Sequence, residues 1–85
     1  MPTVLKKRGW RLLIYPNEGN EPMHIHAQKA GMDAKFWLHP AARTATVAFA
    51  YRMKPNDLRE VLDIIHEHFN ELLAAWHELQ QRQGS

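Results

Sequence analysis

Residues 55–79 read PNDLREVLDIIHEHFNELLAAWHEL, and this stretch decides the fold class of the 85-residue chain. Its apolar side chains recur at steps of four and three, the spacing that places residues on one side of an α-helix. The stripe consists of Leu58, Leu62, Ile65, Phe69, Leu72, Trp76 and Leu79. Asp57 comes two residues after Pro55, and its sequence spacing from Glu60 is that of a capping box. We therefore predict one long C-terminal helix over residues 57–80.

The residues before this helix alternate in the manner of β-strands. Thr44 to Met53 is ambiguous because its alanines also suit a helix, but larger apolar residues occupy every second position. That alternation predicts a strand with one apolar face, formed by Ala45, Val47, Phe49, Tyr51 and Met53. Shorter strands are predicted over residues 3–5, 10–15, 24–28 and 34–38. We predict an α+β fold in which a small antiparallel sheet of four to five strands, residues 3–53, is packed by the helix.

Composition restricts the class of protein further. A hydrophobic content of 45% with 24% charged residues is typical of a globular chain, and the length predicts a single domain over residues 1–85. The absence of cysteine excludes disulfides and thiolate chemistry. No apolar run approaches the ~20 residues of a membrane span, and the N-terminus lacks the apolar segment of a signal peptide. We expect a cytoplasmic protein that does not bind membranes.

Charge is distributed unevenly along the chain. Residues 1–56 hold nine Lys/Arg and three Asp/Glu, a balance of +6, whereas residues 57–85 hold two and six, a balance of −4. The basic half favours an anionic partner such as nucleic acid, and the acidic helix favours a basic one. Alternatively, the two halves attract each other within one molecule. The densest basic cluster, and our candidate nucleic-acid-binding surface, consists of Lys6, Lys7, Arg8 and Arg11.

His24 and His26 are the first candidates for chemistry because period-two alternation puts both imidazoles on one face of a strand. Such a pair can hold a metal ion, but a metal site needs further ligands. The possible additional ligands are His39, Asp33, His66, His68 and His77. Nothing in their spacing selects among them, so we predict neither a metal nor another cofactor.

Two other roles are open to the same histidines. With Lys35 nearby in sequence, they could grip a phosphate or deprotonate a ribose hydroxyl, as metal-free ribonucleases do. His24, His26 and Lys35 are therefore the candidate catalytic residues. In the structural alternative, one imidazole hydrogen-bonds Asn20 or a backbone carbonyl and holds the bend at Pro22.

The same segment carries a family resemblance. Asn20-Glu-Pro-Met-His-Ile-His26, followed by Ala34-Lys-Phe-Trp-Leu38, resembles the bacterial family called domain of unknown function 4160. The shared features are an N-x-P-x-H-x-H turn and strand, a second short strand, and a C-terminal helix, which Leu72, Leu73 and Trp76 match here. The likeness extends from Pro2 to about Leu79. Met23 replaces a proline that is usual in the family, and residues 41–52 are unusually rich in alanine.

The resemblance implies a role in a two-gene module. Such proteins are often encoded beside a small protein of the family numbered 2442, in what looks like a toxin–antitoxin pair with this family as the toxin. An RNA target would suit the basic half, acting through the face that bears His24, His26 and Lys35. The alternative is a non-enzymatic nucleic-acid- or protein-binding module in which the histidines are structural. Whether the chain is an enzyme, and whether it forms a homo-oligomer, stays open.

Overall fold

A computed structural model describes residues 3–15 and 21–84 of the chain. Its elements, in order, are β1 (Thr3–Lys7), β2 (Trp10–Leu13), β3 (His24–Lys29), β4 (Met32–His39), β5 (Thr44–Tyr51), α1 (Pro55–Glu67) and α2 (Phe69–Gly84). The strands form one antiparallel sheet in the order β1-β2-β3-β4-β5. The predicted α+β fold with an antiparallel sheet is therefore confirmed. The turn predicted over residues 16–20 lies outside the described residues.

Two tight turns set the register of the sheet. Arg8 and Gly9 join β1 to β2 with φ values of 52° and 84°, and Ala30 and Gly31 join β3 to β4 with 48° and 82°. Two successive residues with positive φ form the kind of turn whose twist matches that of paired strands. Glycine occupies the second position of each turn, where it adopts this backbone conformation without steric cost.

The hydrophobic core is formed by the sheet, α1 and α2, and we call the sheet face that carries Ile25 and Phe36 the first face. Because directly paired residues share a face, the register assigns the core side chains of β2, β3 and β4 to this side. The buried sheet residues are Trp10, Leu12, Ile14, Ile25, Ala27, Ala34, Phe36, Leu38 and Ala45, and the buried helix residues are Val61, Ile64, Ile65, Phe69, Leu72 and Trp76. The apolar stripe of the helical region thus faces the sheet, as its spacing predicts.

The structure divides the predicted helix into two at His68. This residue has φ −118° and ψ 26°, away from the usual helical values near −63° and −42°. Its backbone N–H still donates to Ile64 O at 3.0 Å, and its carbonyl accepts from Leu72 N at 3.0 Å. The hydrogen-bond spacing therefore continues through the junction. The apolar stripe stays in phase across the break between α1 and α2, so the sequence pattern does not reveal it.

The first turn of α1 begins two residues earlier than predicted. Pro55 is the first helical residue, a position where its missing N–H removes no intrahelical hydrogen bond. Asp57 lies inside the helix, and its carboxylate accepts from the backbone N–H of Lys54 at 3.0 Å. Glu60, the expected partner of Asp57 in a capping box, instead accepts a hydrogen bond from a buried tryptophan in β2.

The single apolar face predicted for β5 is wrong in its second half. Val47 pairs with Phe36 and Phe49 with Lys35, which leaves Ala48 without a partner in β4. This β-bulge inserts one residue, so the alternation changes phase. Val47 lies on the first face with Phe36, whereas Phe49 lies on the opposite face with Lys35.

The contact between Trp10 and Glu60 links the sheet to α1. The fully buried Trp10 donates its Nε1–H to Glu60 Oε1 at 2.8 Å. In Glu60→Ala the indole N–H loses its acceptor, and we expect the free energy of unfolding in urea to fall by about 1–3 kcal/mol. Glu60→Gln keeps an acceptor oxygen and should lose less.

Asp63→Ala is the control for this prediction, since Asp63 is an exposed carboxylate of the same helix. We expect it to change stability by no more than about 0.5 kcal/mol. Equal urea midpoints for Glu60→Ala and Asp63→Ala would show that the Trp10–Glu60 bond does not stabilise the fold.

Candidate functional site

The second face of the sheet, opposite α1, carries the candidate histidines. His26 pairs with Leu13 on one side and Lys35 on the other, and His24 pairs with Trp37. These side chains therefore project to the same side of the sheet. We call Tyr15, His24, His26, Lys35 and Trp37 the histidine cluster. The three residues proposed from sequence as catalytic do come together within it.

His24 is an interior residue of this cluster. It is fully buried, and its ring centroid lies 5.3 Å from that of His26, 5.8 Å from Trp37 and 5.1 Å from Trp76 of α2. Its Nδ1 is 2.9 Å from the carbonyl oxygen of Pro22. Since a carbonyl can only accept, Nδ1 carries the proton and donates it. This geometry is that of a histidine that holds the chain at the entry to β3.

His26 is almost as enclosed, with only 8% of its surface exposed. The ring of Tyr15 packs edge-on against it, with centroids 4.5 Å apart. Gln28, two residues along the same face of β3, donates its Nε2–H to the Tyr15 hydroxyl at 3.3 Å. Tyr15 lies two residues after the end of β2, and its ring covers His26 on the second face.

Lys35 closes the cluster from β4. Its ammonium group forms an ion pair with the carboxylate of Glu21 and lies 4.6 Å from the centroid of the Trp37 ring. Only 12% of the Lys35 side chain is exposed. A cation with a carboxylate and an aromatic ring as neighbours is already neutralised and shielded. In this conformation neither His24 nor Lys35 presents a reactive atom to a macromolecular substrate.

Three of the residues considered as further metal ligands have partners of their own. His39 Nε2 lies 2.8 Å from Thr46 Oγ1, His66 Nε2 lies 3.3 Å from Thr44 Oγ1, and His68 Nδ1 lies 2.8 Å from Glu71 Oε1. Over residues 3–15 and 21–84, no group of three or more histidine, aspartate or glutamate side chains is arranged to hold a metal ion.

The basic residues proposed as a nucleic-acid-binding surface all lie, exposed, on the β1–β2 hairpin. Arg8 pairs with Glu67 of α1 at 3.2 Å, so part of the charge asymmetry is neutralised within the molecule. Lys6, Lys7 and Arg11 have no carboxylate partner among the described residues, and Arg11 donates to Thr3 Oγ1 at 3.2 Å. These three cations remain available to an anionic ligand.

Sequence reasoning missed the exposed part of the second face. The row Lys6, Arg11, Gln28, Asp33 and Tyr51 crosses all five strands. Tyr51 is 55% exposed and Phe49, in the next row, is 45% exposed. The guanidinium of Arg52 lies 5.2 Å from the centroid of the Tyr51 ring. We call Lys6, Arg11, Phe49, Tyr51 and Arg52 the open patch. Its two aromatic residues lie on this face because of the bulge at Ala48, which the alternation rule does not predict.

A surface depression adjoins the open patch. It has a volume of about 420 Å³ and lies between the β1–β2 and β3–β4 turns. Its lining includes the side chains of Arg11, Gln28, Lys29 and Asp33. Lys29 also contacts the Arg8 carbonyl at 3.2 Å and Glu60 at 3.9 Å. Arg11 is the one lining cation without a carboxylate partner among the described residues.

The fold and this site define a small α+β protein whose central strand buries two histidines. The family model described as Domain of unknown function (DUF4160) matches residues 9–77, and the chain belongs to this family. The resemblance inferred from the His-x-His segment is thereby confirmed. Neither a curated protein nor a solved structure gave a significant match. Among the described residues, no helix combines the length and apolar character that a membrane span requires.

The geometry of His24 generates a stability prediction. His24→Phe keeps an aromatic ring beside Trp37 and Trp76 but leaves the Pro22 carbonyl without its donor. We expect the free energy of unfolding to fall by about 1–3 kcal/mol in chemical denaturation. His77→Phe, at an exposed position of α2, is the matched control and should leave stability nearly unchanged. A His24→Phe protein as stable as the wild type would exclude a structural role for this hydrogen bond.

Proposed function

We propose that this protein is an RNA-binding, toxin-like component of a bacterial two-gene module, acting in the cytoplasm through the open patch. The observation that carries the proposal is the combination of exposed cations and exposed aromatic rings on one sheet face. Arg11 and Lys6 lie at one side of this face, and Phe49 and Tyr51 lie at the other.

This combination is suited to single-stranded nucleic acid. Cations attract the phosphate backbone, and exposed aromatic rings stack on bases without reading a particular sequence. Arg11 and Tyr51 are three strand spacings apart in their row, or about 14 Å. An extended strand of RNA lying across β2 to β5 would therefore contact both ends of the patch. The depression beside Arg11, which Asp33 also lines, offers space for one base at the edge.

Binding rather than catalysis is favoured by the state of the histidine cluster. His24 is fully buried with its Nδ1–H donated to Pro22, and the Lys35 ammonium is paired with Glu21. A general base must come within hydrogen-bond reach of the proton that it removes. We propose that these residues shape and stiffen the sheet face, and that the RNA-contacting groups lie beside them.

The proposed partner is the small protein encoded by the neighbouring gene, the family numbered 2442 being the candidate. It would inhibit by covering the open patch. An acidic partner surface would pair with the cations Lys6, Lys7 and Arg11, which have no described carboxylate of their own. This pairing would compete directly with phosphate groups, and binding of partner and RNA would be mutually exclusive.

RNA binding can be tested by the anisotropy of a labelled single-stranded oligonucleotide over a range of salt concentrations. For Arg11→Ala we expect weaker binding and a shallower salt dependence, by about 0.7 in the log–log slope for each phosphate that Arg11 neutralises. For Tyr51→Ala we expect about 1–3 kcal/mol weaker binding, with the slope unchanged. Arg59→Ala removes an exposed cation from α1 and is the control.

Absence of wild-type binding at low salt, or equally weakened binding in all three variants, would contradict an open-patch RNA site. Recovery of cleaved RNA, abolished in a His26→Ala protein that is still folded, would contradict a binding role and restore the catalytic alternative. Intact RNA in the bound complex supports binding.

The toxin-like role has its own test in a bacterial host. Expression of the chain alone should slow growth, and co-expression with the protein encoded next door should relieve the effect. The double variant Arg11→Ala/Tyr51→Ala should also relieve it at equal levels of folded protein. Unimpaired growth during strong expression of folded wild-type protein would contradict this role while leaving the RNA-binding result unaffected.

A further inference from the structure

The edge strand β5 has neither the charged side chains nor the prolines that keep exposed edges from pairing, and the bulge at Ala48 is its one irregularity. It ends the sheet, spans eight residues (Thr44–Tyr51) and contains no charged side chain. An edge strand presents unpaired backbone N–H and C=O groups, and proteins that leave such an edge free usually protect it with lysines, prolines or very short strands. None of these devices occurs within β5.

The other edge of the sheet is protected. Strand β1 has five residues, and two of them, Lys6 and Lys7, are exposed lysines. Its pairing with β2 is also irregular between Thr3 and Leu5. Because β5 has a bulge as well, the short length and the two lysines are what distinguish β1 as the edge that discourages a further strand. The contrast between the two edges indicates that β5 is covered by another strand in the functional state.

Exposed apolar side chains lie on both sides of this edge. The large hydrophobic residues exposed in the described part of the chain are Val47, Phe49 and Tyr51, and all belong to β5. Because of the bulge at Ala48, Val47 lies on the first face and the two aromatics lie on the second. A ligand docked on one face would cover only part of this set. A strand aligned along the edge would contact both sides.

We infer that β5 pairs with β5 of a second copy of this chain, antiparallel about a two-fold axis, to form a continuous ten-stranded sheet. A strand without charged side chains forms no ion pairs with a charged partner segment. A second copy of the chain offers a neutral strand of equal length. The two-fold arrangement would place the aromatic rings of both copies on the same face of the continuous sheet.

The two-fold symmetry of this contact limits the assembly to a dimer. Both β5 edges are paired in the dimer, and its outer edges are the lysine-bearing β1 strands. A filament therefore cannot grow. The arginines that flank β5 are already held by their own molecule. Arg43 donates to Asn70 at 2.8 Å and lies over Phe69, and Arg52 lies over Tyr51.

The experiment is a mass determination in solution by light scattering after size exclusion. For the wild type we expect twice the 9.9 kDa of one chain. In Ala48→Lys the two copies bring lysines together at the centre of the interface, and the mass should halve. Ala48 is exposed and has no partner in β4, so the lysine does not disturb the sheet. Ala74→Lys, at an exposed position of α2, is the matched control and should stay dimeric.

A second variant keeps the inference testable should the lysine protein fail to fold. The chain has no cysteine, so Ala48→Cys introduces a single thiol near the proposed two-fold axis. Mild oxidation should convert it to a covalent dimer, whereas Ala74→Cys should stay largely uncrosslinked. A wild type that is monomeric throughout a dilution series, or a dimer that Ala48→Lys leaves intact, would overturn the inference. So would equal crosslinking of the two cysteine variants.

Discussion

The fold depends on a central strand that is buried on both faces although one face carries histidines. Ile25 and Ala27 of β3 enter the hydrophobic core, and His24 and His26 enter the opposite side with almost no exposure. Burying a polar group without a hydrogen bond is costly, so the surroundings must satisfy these imidazoles. The donation from His24 Nδ1 to the Pro22 carbonyl meets this requirement for one of these ring nitrogens and at the same time fixes the direction in which the chain enters β3.

The burial of the two histidines explains why the proposed functional contacts lie elsewhere on the sheet. Trp76 of α2 contacts His24, Tyr15 contacts His26, and Glu21 neutralises Lys35. The polar centre of the second face is thus enclosed by groups from three different segments. Two parts of the sheet remain accessible, namely the cations of the β1–β2 hairpin and the aromatic residues of β5. The proposed RNA contact uses the face that carries Phe49 and Tyr51, and the proposed dimer contact uses the backbone edge of the same strand, so the two share β5.

The sequence predicts the α+β fold because its hydrophobic period changes from two to between three and four near Pro55. It does not predict the break between α1 and α2 at His68, since the apolar stripe stays in phase across it. The sequence does not predict the bulge at Ala48, because alanine suits either side of a strand. This one unpaired residue moves Phe49 to the face opposite to the predicted one. The alternation places His24 and His26 on one face, but it cannot tell whether that face is covered. Their burial therefore needed the structure.

His24 is a structural residue whose Nδ1 proton is held by the carbonyl oxygen of Pro22. Side-chain ¹H–¹⁵N spectra of the imidazoles test this most directly, because they identify which ring nitrogen carries the proton and how fast that proton exchanges. We predict that the His24 ring carries a proton on Nδ1 that exchanges slowly with solvent. A His24 ring protonated only on Nε2, or one whose Nδ1 proton exchanges as rapidly as that of an exposed histidine such as His77, would contradict the account.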